Sequence, residues 1–150
     1  IPSIIGSFNA SQTLLLRLAQ TKIGAGAIVE ASLFDAVRSS YLFSTDPDIG
    51  LDVNDPSVLT TFYSLLLSVL RVITSVTLTR GVQNKQAVAQ AREFLQENRV
   101  CVLAIFKRSA GIGGMELDDE GKKVLEGLVE NLVVLATVTG FMDVSLNFVA

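Results

Sequence analysis

Residues 55–81 read DPSVLTTFYSLLLSVLRVITSVTLTRG, and this stretch decides the fold. Asp55 is predicted to cap the N-terminus of a helix whose first residue is Pro56, and Gly81 is predicted to end it. Because apolar residues cover much of its circumference, this helix is expected in the middle of a stack rather than on the surface. The residues at helical spacing are Val58, Leu59, Phe62, Leu65, Leu66, Val69, Ile73 and Val76, with Leu67, Leu70 and Val72 beside them.

The segments before this helix are also predicted to be helical. The spacing of apolar residues predicts three helices, over residues 9–22, 24–31 and 32–40. Asn9 or Ser11 is expected to cap the first helix, Gly24 to end it, and Ser32 to cap the third. Residues 43–55 are expected to form an ordered crossing loop, since two Asp-Pro pairs and a glycine punctuate them.

The segments after it continue the helical pattern. Helices are predicted over residues 83–97 and 99–108, with a break at Asn98, and a glycine-rich turn follows over residues 110–115. The acidic residues 118–120 open the last long helix, because negative charge there opposes the helix dipole favourably. The stripe expected to be buried on that helix is Val124, Leu125, Leu128, Val129, Leu132, Leu135 and Ala136.

The predicted elements add up to six or seven helices with no convincing strand. Helical units of about 40–47 residues are the period of HEAT and armadillo repeats, and about three such units fit this length. The sequence therefore predicts an all-α fold, a right-handed α-solenoid of HEAT/armadillo-like helical repeats, with a compact helical bundle as the alternative. Residues 1–150 are expected to form a single solenoid segment of a longer chain, because the sequence starts without an initiator Met.

The composition argues against several classes of function. The chain has 12 basic and 15 acidic side chains, no His and a single Cys. Without His the commonest general base and metal ligand is missing, and one Cys permits neither an internal disulfide nor a thiolate zinc site. The formal net charge of -3 argues against nucleic-acid binding, which needs a basic face. We therefore predict no enzyme, with no catalytic residue, no cofactor and no metal site.

The chain has more apolar surface than a typical domain. Charged residues make up 18% of it, against roughly 25% on average, and the mean hydropathy is +0.49. Neighbouring segments or a bound partner are expected to cover the excess. Residues 65–78 and 128–142 are interpreted as buried helices rather than membrane spans, since Arg71 interrupts the first stretch, and Glu130 and Gly140 the second. The unpaired cysteine and the lack of a visible secretory signal predict a reducing compartment.

The polar and glycine-rich features have structural interpretations. Residues 111–114 lack the Lys-Ser/Thr tail of a phosphate-binding loop and are interpreted as a helix–helix turn. The acidic residues within 46–55 and 118–120 lack the ligand spacing of a calcium loop. Cys101 is expected to be a buried, inert thiol. Arg71 is expected either to extend to the surface or to pair with a buried acid.

The C-terminal end of the chain carries the candidate partner-binding site. A terminal solenoid repeat needs a polar outer face or a partner that covers it, yet this end is apolar. Internal packing of these residues is the alternative, and the sequence does not separate the two. The candidate anchors for a partner's amphipathic helix are Val134, Val138, Phe141, Met142 and Phe148.

Six segments resemble one family of proteins. They are residues 14–22 (LLLRLAQTK), 43–52 (FSTDPDIGLD), 65–73 (LLLSVLRVI), 80–84 (RGVQN), 91–95 (AREFL) and 107–114 (KRSAGIGG). In this order they resemble the C-terminal tail of the largest inner-ring scaffold nucleoporins of the nuclear pore complex, in a fungal form. A sister class of similar architecture is the alternative assignment.

The resemblance implies a location, a role and partners. Members of the family are long α-helical solenoids that form structural parts of the inner ring of the nuclear pore, at the nuclear envelope, and support transport of protein and mRNA. Their tail binds a helical segment of the linker nucleoporin, and neighbouring inner-ring nucleoporins are further partners. The resemblance implies no enzyme activity, nucleic-acid binding or membrane span. The alternative function is a transport receptor-like module that binds Phe-Gly repeats weakly at many sites.

Overall fold

Helices account for the regular structure of the chain wherever it is described. The computed structural model describes residues 2–43, 56–81, 83–112 and 116–141, and within these ranges it contains seven α-helices and no strand. The helices are α1 (Pro2–Ala19), α2 (Lys22–Glu30), α3 (Leu33–Ser40), α4 (Pro56–Arg80), α5 (Lys85–Glu97), α6 (Arg99–Ser109) and α7 (Asp119–Thr139). The prediction of an all-α fold is confirmed.

The helices follow the same order twice. A long helix precedes two shorter ones in α1–α2–α3 and again in α4–α5–α6, and α7 is a third long helix. α4 and α7 run parallel, because Thr60 and Leu67 of α4 lie against Asp118 and Gly127 respectively. A unit of two or three helices is what HEAT and armadillo repeats contain. The solenoid arrangement and its handedness stay predictions.

α4 lies at the centre of the packing. It contacts α1, α2, α5 and α7, and its contact with α7 is the most extensive in the described chain. The apolar face predicted from the sequence is buried or half-buried except at Val58, which is exposed in the first turn. The fully buried members of this helix include Leu59, Tyr63, Leu66, Leu70, Val72, Ile73 and Val76.

Two clusters of buried side chains hold the helices together. The larger one joins α3, α4, α5, α6 and α7, and the smaller one joins α1, α2 and α4 through Ala19, Ala25, Ile28, Val72 and Val76. The stripe predicted on the last helix faces the larger cluster. Five of its seven members are buried, and Val124 and Val129 are half-buried. Apolar burial of this kind is the main favourable contribution to stability.

α4 is also the one described helix that is long and apolar enough to cross a membrane by length and composition. More than half of its most apolar stretch is buried inside the protein, and Arg71 interrupts that stretch. This burial agrees with the interpretation of residues 65–78 as part of a core helix.

The structure corrects the start of the first helix. α1 begins at Pro2 rather than at Asn9 or Ser11, because Pro is compatible with the first turn of a helix. Asn9 and Ser11 are exposed positions inside the helix. The backbone carbonyl oxygen of Asn9 accepts a hydrogen bond from the hydroxyl of Thr13 at 2.9 Å. Asn9 therefore lies within the helix and does not cap it.

The predicted role of Gly24 is also wrong. It does not end α1, because α2 already begins at Lys22. Thr21 caps α2, since its hydroxyl oxygen accepts a hydrogen bond from the N–H of Gly24 at 3.0 Å. A Cβ on residue 24 would overlap the carbonyl oxygen of Leu18. The glycine therefore permits the close approach of two consecutive helices.

The limits of α4 agree with the prediction, and those of α5 shift by two residues. α4 begins at Pro56 and ends before Gly81, which has a left-handed φ of 97°. α5 begins at Lys85 rather than at residue 83. The side chain of Asn84 accepts a hydrogen bond from the N–H of Ala87 at 3.1 Å and so caps this helix.

The other predicted capping residues lie at the helix ends, but not all of them make a capping hydrogen bond. Ser32 precedes α3 as predicted, but its side chain makes no capping hydrogen bond. Asp118 caps α7, and acidic residues follow it in the first turn as expected. The cap predicted at Asp55, residues 44–55 of the crossing loop and residues 113–115 of the glycine-rich turn lie outside the described residues.

Candidate functional site

The predicted partner site lies at the C-terminal end of α7. Val134 is 37% exposed, and Val138, one turn later, is half-buried. Phe141, directly after the helix and its capping glycine, is only 4% exposed and belongs to the larger core cluster. Met142 and Phe148 lie outside the described residues. The structure therefore separates Val134, at the surface, from Phe141, in the interior, and partner binding by this set stays a prediction.

The chain turns inward at Gly140. This residue caps α7 with a φ of 73°, which glycine adopts without steric strain. The hydroxyl of Thr139 donates to the carbonyl oxygen of Leu135 at 2.8 Å, and Nε of Arg92 in α5 donates to the carbonyl oxygen of Thr139 at 2.7 Å. These bonds satisfy the end of the helix and accompany the return of Phe141 to the core.

The surface that remains available at this end is the outer face of α7. It is formed by five exposed residues: Glu126, Glu130, Val133, Val134 and Thr137. Two carboxylates one turn apart precede two valines, so the face has an acidic part and an apolar part. Such a face suits a partner helix that carries apolar anchors and basic residues. Sequence reasoning did not assign Glu126 and Glu130 to the site, although their spacing of four residues was an available signal.

A second surface spans the three long helices. A cavity of about 520 Å³ opens between α1, α4 and α7, and we call it the three-helix groove. Each helix contributes both polar and apolar side chains to it, with Leu16 on α1, Leu67 on α4 and Val124 on α7 as the apolar ones. Sequence reasoning did not predict this groove, because its width depends on how far apart α1 and α7 stand on α4.

Arg71 lines the three-helix groove. Its side chain is exposed, and no carboxylate of the described residues lies within ion-pair distance of its guanidinium. Of the two expectations for this residue, extension to the surface is confirmed. Pairing with a buried acid is wrong within the part of the chain that the structure describes.

An exposed charge cluster joins α3 to α5. The guanidinium of Arg38 donates from Nε and Nη2 to the two carboxylate oxygens of Glu97, at 2.9 and 3.1 Å, and contacts Asp35 at 2.8 Å. The hydrogen bond to Glu97, then its negative charge, raises the pKa of Arg38 above its usual value. Since an arginine is protonated at any physiological pH, Arg38 stays charged and this cluster is an exposed ion-pair network between α3 and α5.

The other candidate residues have structural positions. Cys101 is buried, as predicted. Asp118 accepts hydrogen bonds as the cap of α7, which accounts for one residue of the acidic group at 118–120. Among the described residues, no group of three or more His, Cys, Asp or Glu side chains could hold a metal ion.

Comparison with known proteins agrees with the resemblance. The model of the family described as the nuclear pore complex scaffold, nucleoporins 186/192/205, matches residues 6–139. Nucleoporin NUP192 of Chaetomium thermophilum is 32% identical over 165 aligned residues, which cover 90% of this chain. The chain spans only 9% of the length of that relative. No solved structure matches the chain at a significant level.

Proposed function

The chain belongs to the nuclear pore complex scaffold family of nucleoporins 186/192/205, and from this membership we propose that it is a structural, non-enzymatic segment of the inner-ring scaffold. Members of the family are components of the nuclear pore complex, in the nuclear envelope. The observation that carries the proposal is the family match along residues 6–139. The packing of the long, apolar α4 against α1, α2, α5 and α7 supports a structural role.

The proposed partner is a helical segment of the linker nucleoporin, bound at the end of α7. Exposed valines on the outer face of α7 support this choice, because apolar anchors in a groove or on a face are the usual means of holding an amphipathic helix. Val134 and Val138 are the proposed contacts nearest the surface. Phe141 is proposed to support them from the interior, since it packs directly behind the end of the helix. Met142 and Phe148 complete the proposed set.

Isothermal titration of this chain with the linker segment tests the proposal. One-to-one binding is expected for the unmodified chain, and its loss is expected for Val134→Glu, which places a charge on the outer face. The matched control is Val58→Glu, which alters an exposed valine near the opposite end of the parallel helix pair. Circular dichroism melts of both variants are expected to match that of the unmodified chain.

The outcomes separate the alternatives. If Val134→Glu and Val58→Glu both bind normally, the outer face of α7 is not the site. If the unmodified chain does not bind the linker segment, linker binding by this chain is refuted, and Phe-Gly peptides are titrated instead. Weak binding of such peptides at several sites would favour the transport receptor-like alternative.

A further inference from the structure

The three-helix groove has one face of α4 as its floor, and the helices beside it run in the same direction as α4. α4 supplies Ser64, Leu67, Ser68 and Arg71 to it, at intervals of three and four residues that place them on one face. α1 runs in the same direction as α4, since its residues 9–16 share the groove with residues 64–71 of α4, while its last residue, Ala19, lies in one buried cluster with Val76. The floor of the groove is therefore a continuous stripe of α4, with α1 and α7 as its walls.

The hydroxyl groups of the two serines on this floor already have hydrogen-bond partners within α4. The hydroxyl of Ser64 donates to the carbonyl oxygen of Thr60 at 2.9 Å, and that of Ser68 donates to the carbonyl oxygen of Ser64 at 3.0 Å. Their small size leaves space above α4, while Leu16 on the α1 wall and Val124 on the α7 wall, both half-buried, offer apolar contacts beside it. The serine hydroxyls of the floor are thus satisfied by the helix itself, and the apolar contacts come from the two walls.

The floor of the groove carries one positive charge, that of Arg71. Arg71 is the only charged residue between residues 57 and 79, and its guanidinium has no carboxylate partner among the described residues. Lys123 on the α7 wall adds a second cation, and Glu120 on the same wall offsets one of the two. The groove therefore has a positive balance in a chain whose net charge is -3.

We propose that the three-helix groove binds a segment of a partner protein that places an Asp or Glu carboxylate on Arg71 and an apolar side chain against Leu16 and Val124, the half-buried apolar residues of the two walls. The planar guanidinium forms two parallel hydrogen bonds with a carboxylate, which fixes orientation as well as charge. Apolar contacts beside one ion pair suit a peptide segment. A nucleic acid would require a broader basic surface than two cations beside one carboxylate. This site is separate from the outer face of α7.

Selection from a random peptide library tests the proposal without assuming a sequence. Twelve-residue peptides displayed on phage are selected on the immobilised chain, and the enriched sequences are expected to carry Asp or Glu near Leu, Ile or Val. A synthetic copy of the most enriched peptide is then titrated. Arg71→Gln is expected to weaken its binding by about tenfold or more, since a closely paired charge at an interface contributes that much.

The control is Arg17→Gln, which removes an exposed charge of α1 that does not line the groove, and it is expected to bind the peptide normally. A charge exchange gives the second test: Arg71→Glu is expected to reject the acidic peptide and to accept its Glu→Arg counterpart. The proposal is overturned if the enriched peptides carry no acidic residue or bind Arg71→Gln unchanged. It is also overturned if a 20-nucleotide RNA binds in the same assay and depends on Arg71.

Discussion

The hydroxyl of Thr60 in α4 donates a hydrogen bond of 3.1 Å to the carboxylate oxygen Oδ1 of Asp118, 58 residues further along the chain. The same oxygen accepts the N–H of Gly121 at 2.7 Å and so caps α7. A Cβ on residue 121 would lie 2.6 Å from the Thr60 hydroxyl oxygen. One carboxylate therefore starts α7 and also ties it to the first turns of α4.

Asp118→Ala is expected to lower the free energy of unfolding by about 1–2 kcal/mol, since it removes the cap, and the bond to Thr60 is lost with it. Asp118→Asn is the matched control, because Asn caps helices about as well as Asp and keeps an oxygen in place. Urea unfolding followed by circular dichroism measures both. Equal stability of Asp118→Ala and the unmodified chain would show that the cap contributes nothing.

A second close approach between the same helices lies at Gly127. A Cβ there would sit 3.0 Å from Cδ2 of Leu67, which is buried. Gly127→Leu is expected to push α4 and α7 apart and to destabilise the protein by about 1–3 kcal/mol, as overpacking does. Urea unfolding again provides the measurement.

Gly127→Ala is the control for that variant. Ala favours a helix interior by about 1 kcal/mol over Gly, which offsets the mild crowding of Leu67, so a near-neutral result is expected. If Gly127→Leu were as stable as Gly127→Ala, the gap between α4 and α7 would be wider than the structure has it.

The parts of the fold that the sequence predicted are those with a strong local signal. The apolar face of α4 and the buried stripe of α7 follow the helical period over more than three turns each, so their faces were correct. The helix ends at Asp118, Pro56 and Gly81 were also predicted correctly, because each depends on residues nearby in the sequence. The predicted start of α1 was wrong because the local signal was weak. Asn9 is a good cap residue, but an Asn can also lie at an exposed position in the middle of a helix, as it does here.

Tertiary contacts explain the other misjudgements. Gly24 resembles a helix stop, yet its role is to let α2 approach the carbonyl oxygen of Leu18. The groove beside Arg71 arises from the separation of α1 and α7, which are more than a hundred residues apart. Phe141 was equally consistent with core and interface, because only the turn at Gly140 decides where its side chain goes.

Phe94 links the first helical unit to the second. Its ring lies 5.2 Å from that of Phe43 in an edge-on arrangement and 6.4 Å from that of Phe34, and it is buried. Phe94→Ala is expected to destabilise the protein by about 3–5 kcal/mol, since it leaves a cavity in the core. Gln96→Ala, an exposed change in the same helix, is the control. Thermal unfolding at matched concentration compares the two.

The exposed cluster around Arg38 is expected to contribute much less than Phe94. Arg38→Gln and Glu97→Gln are expected to have small effects, because solvent and salt screen exposed ion pairs. A double-mutant cycle isolates the coupling between the two side chains. That coupling is expected to be measurable at low salt and to vanish at 1 M NaCl; a coupling that persists at high salt would indicate a pair shielded from solvent.

Phe141 and Val134 are expected to respond oppositely in tests of stability and binding. Phe141→Ala should lower the free energy of unfolding by about 3–5 kcal/mol, since a buried aromatic ring is removed. Val134→Ala should change it by less than about 0.5 kcal/mol, as exposed substitutions usually do. Loss of linker binding in Phe141→Ala would thus be ambiguous, whereas loss in Val134→Glu with an unchanged melt would report on the interface. If Phe141→Ala instead unfolds at the same urea concentration as the unmodified chain, the ring does not stabilise the core, and Phe141 becomes available as a direct partner contact.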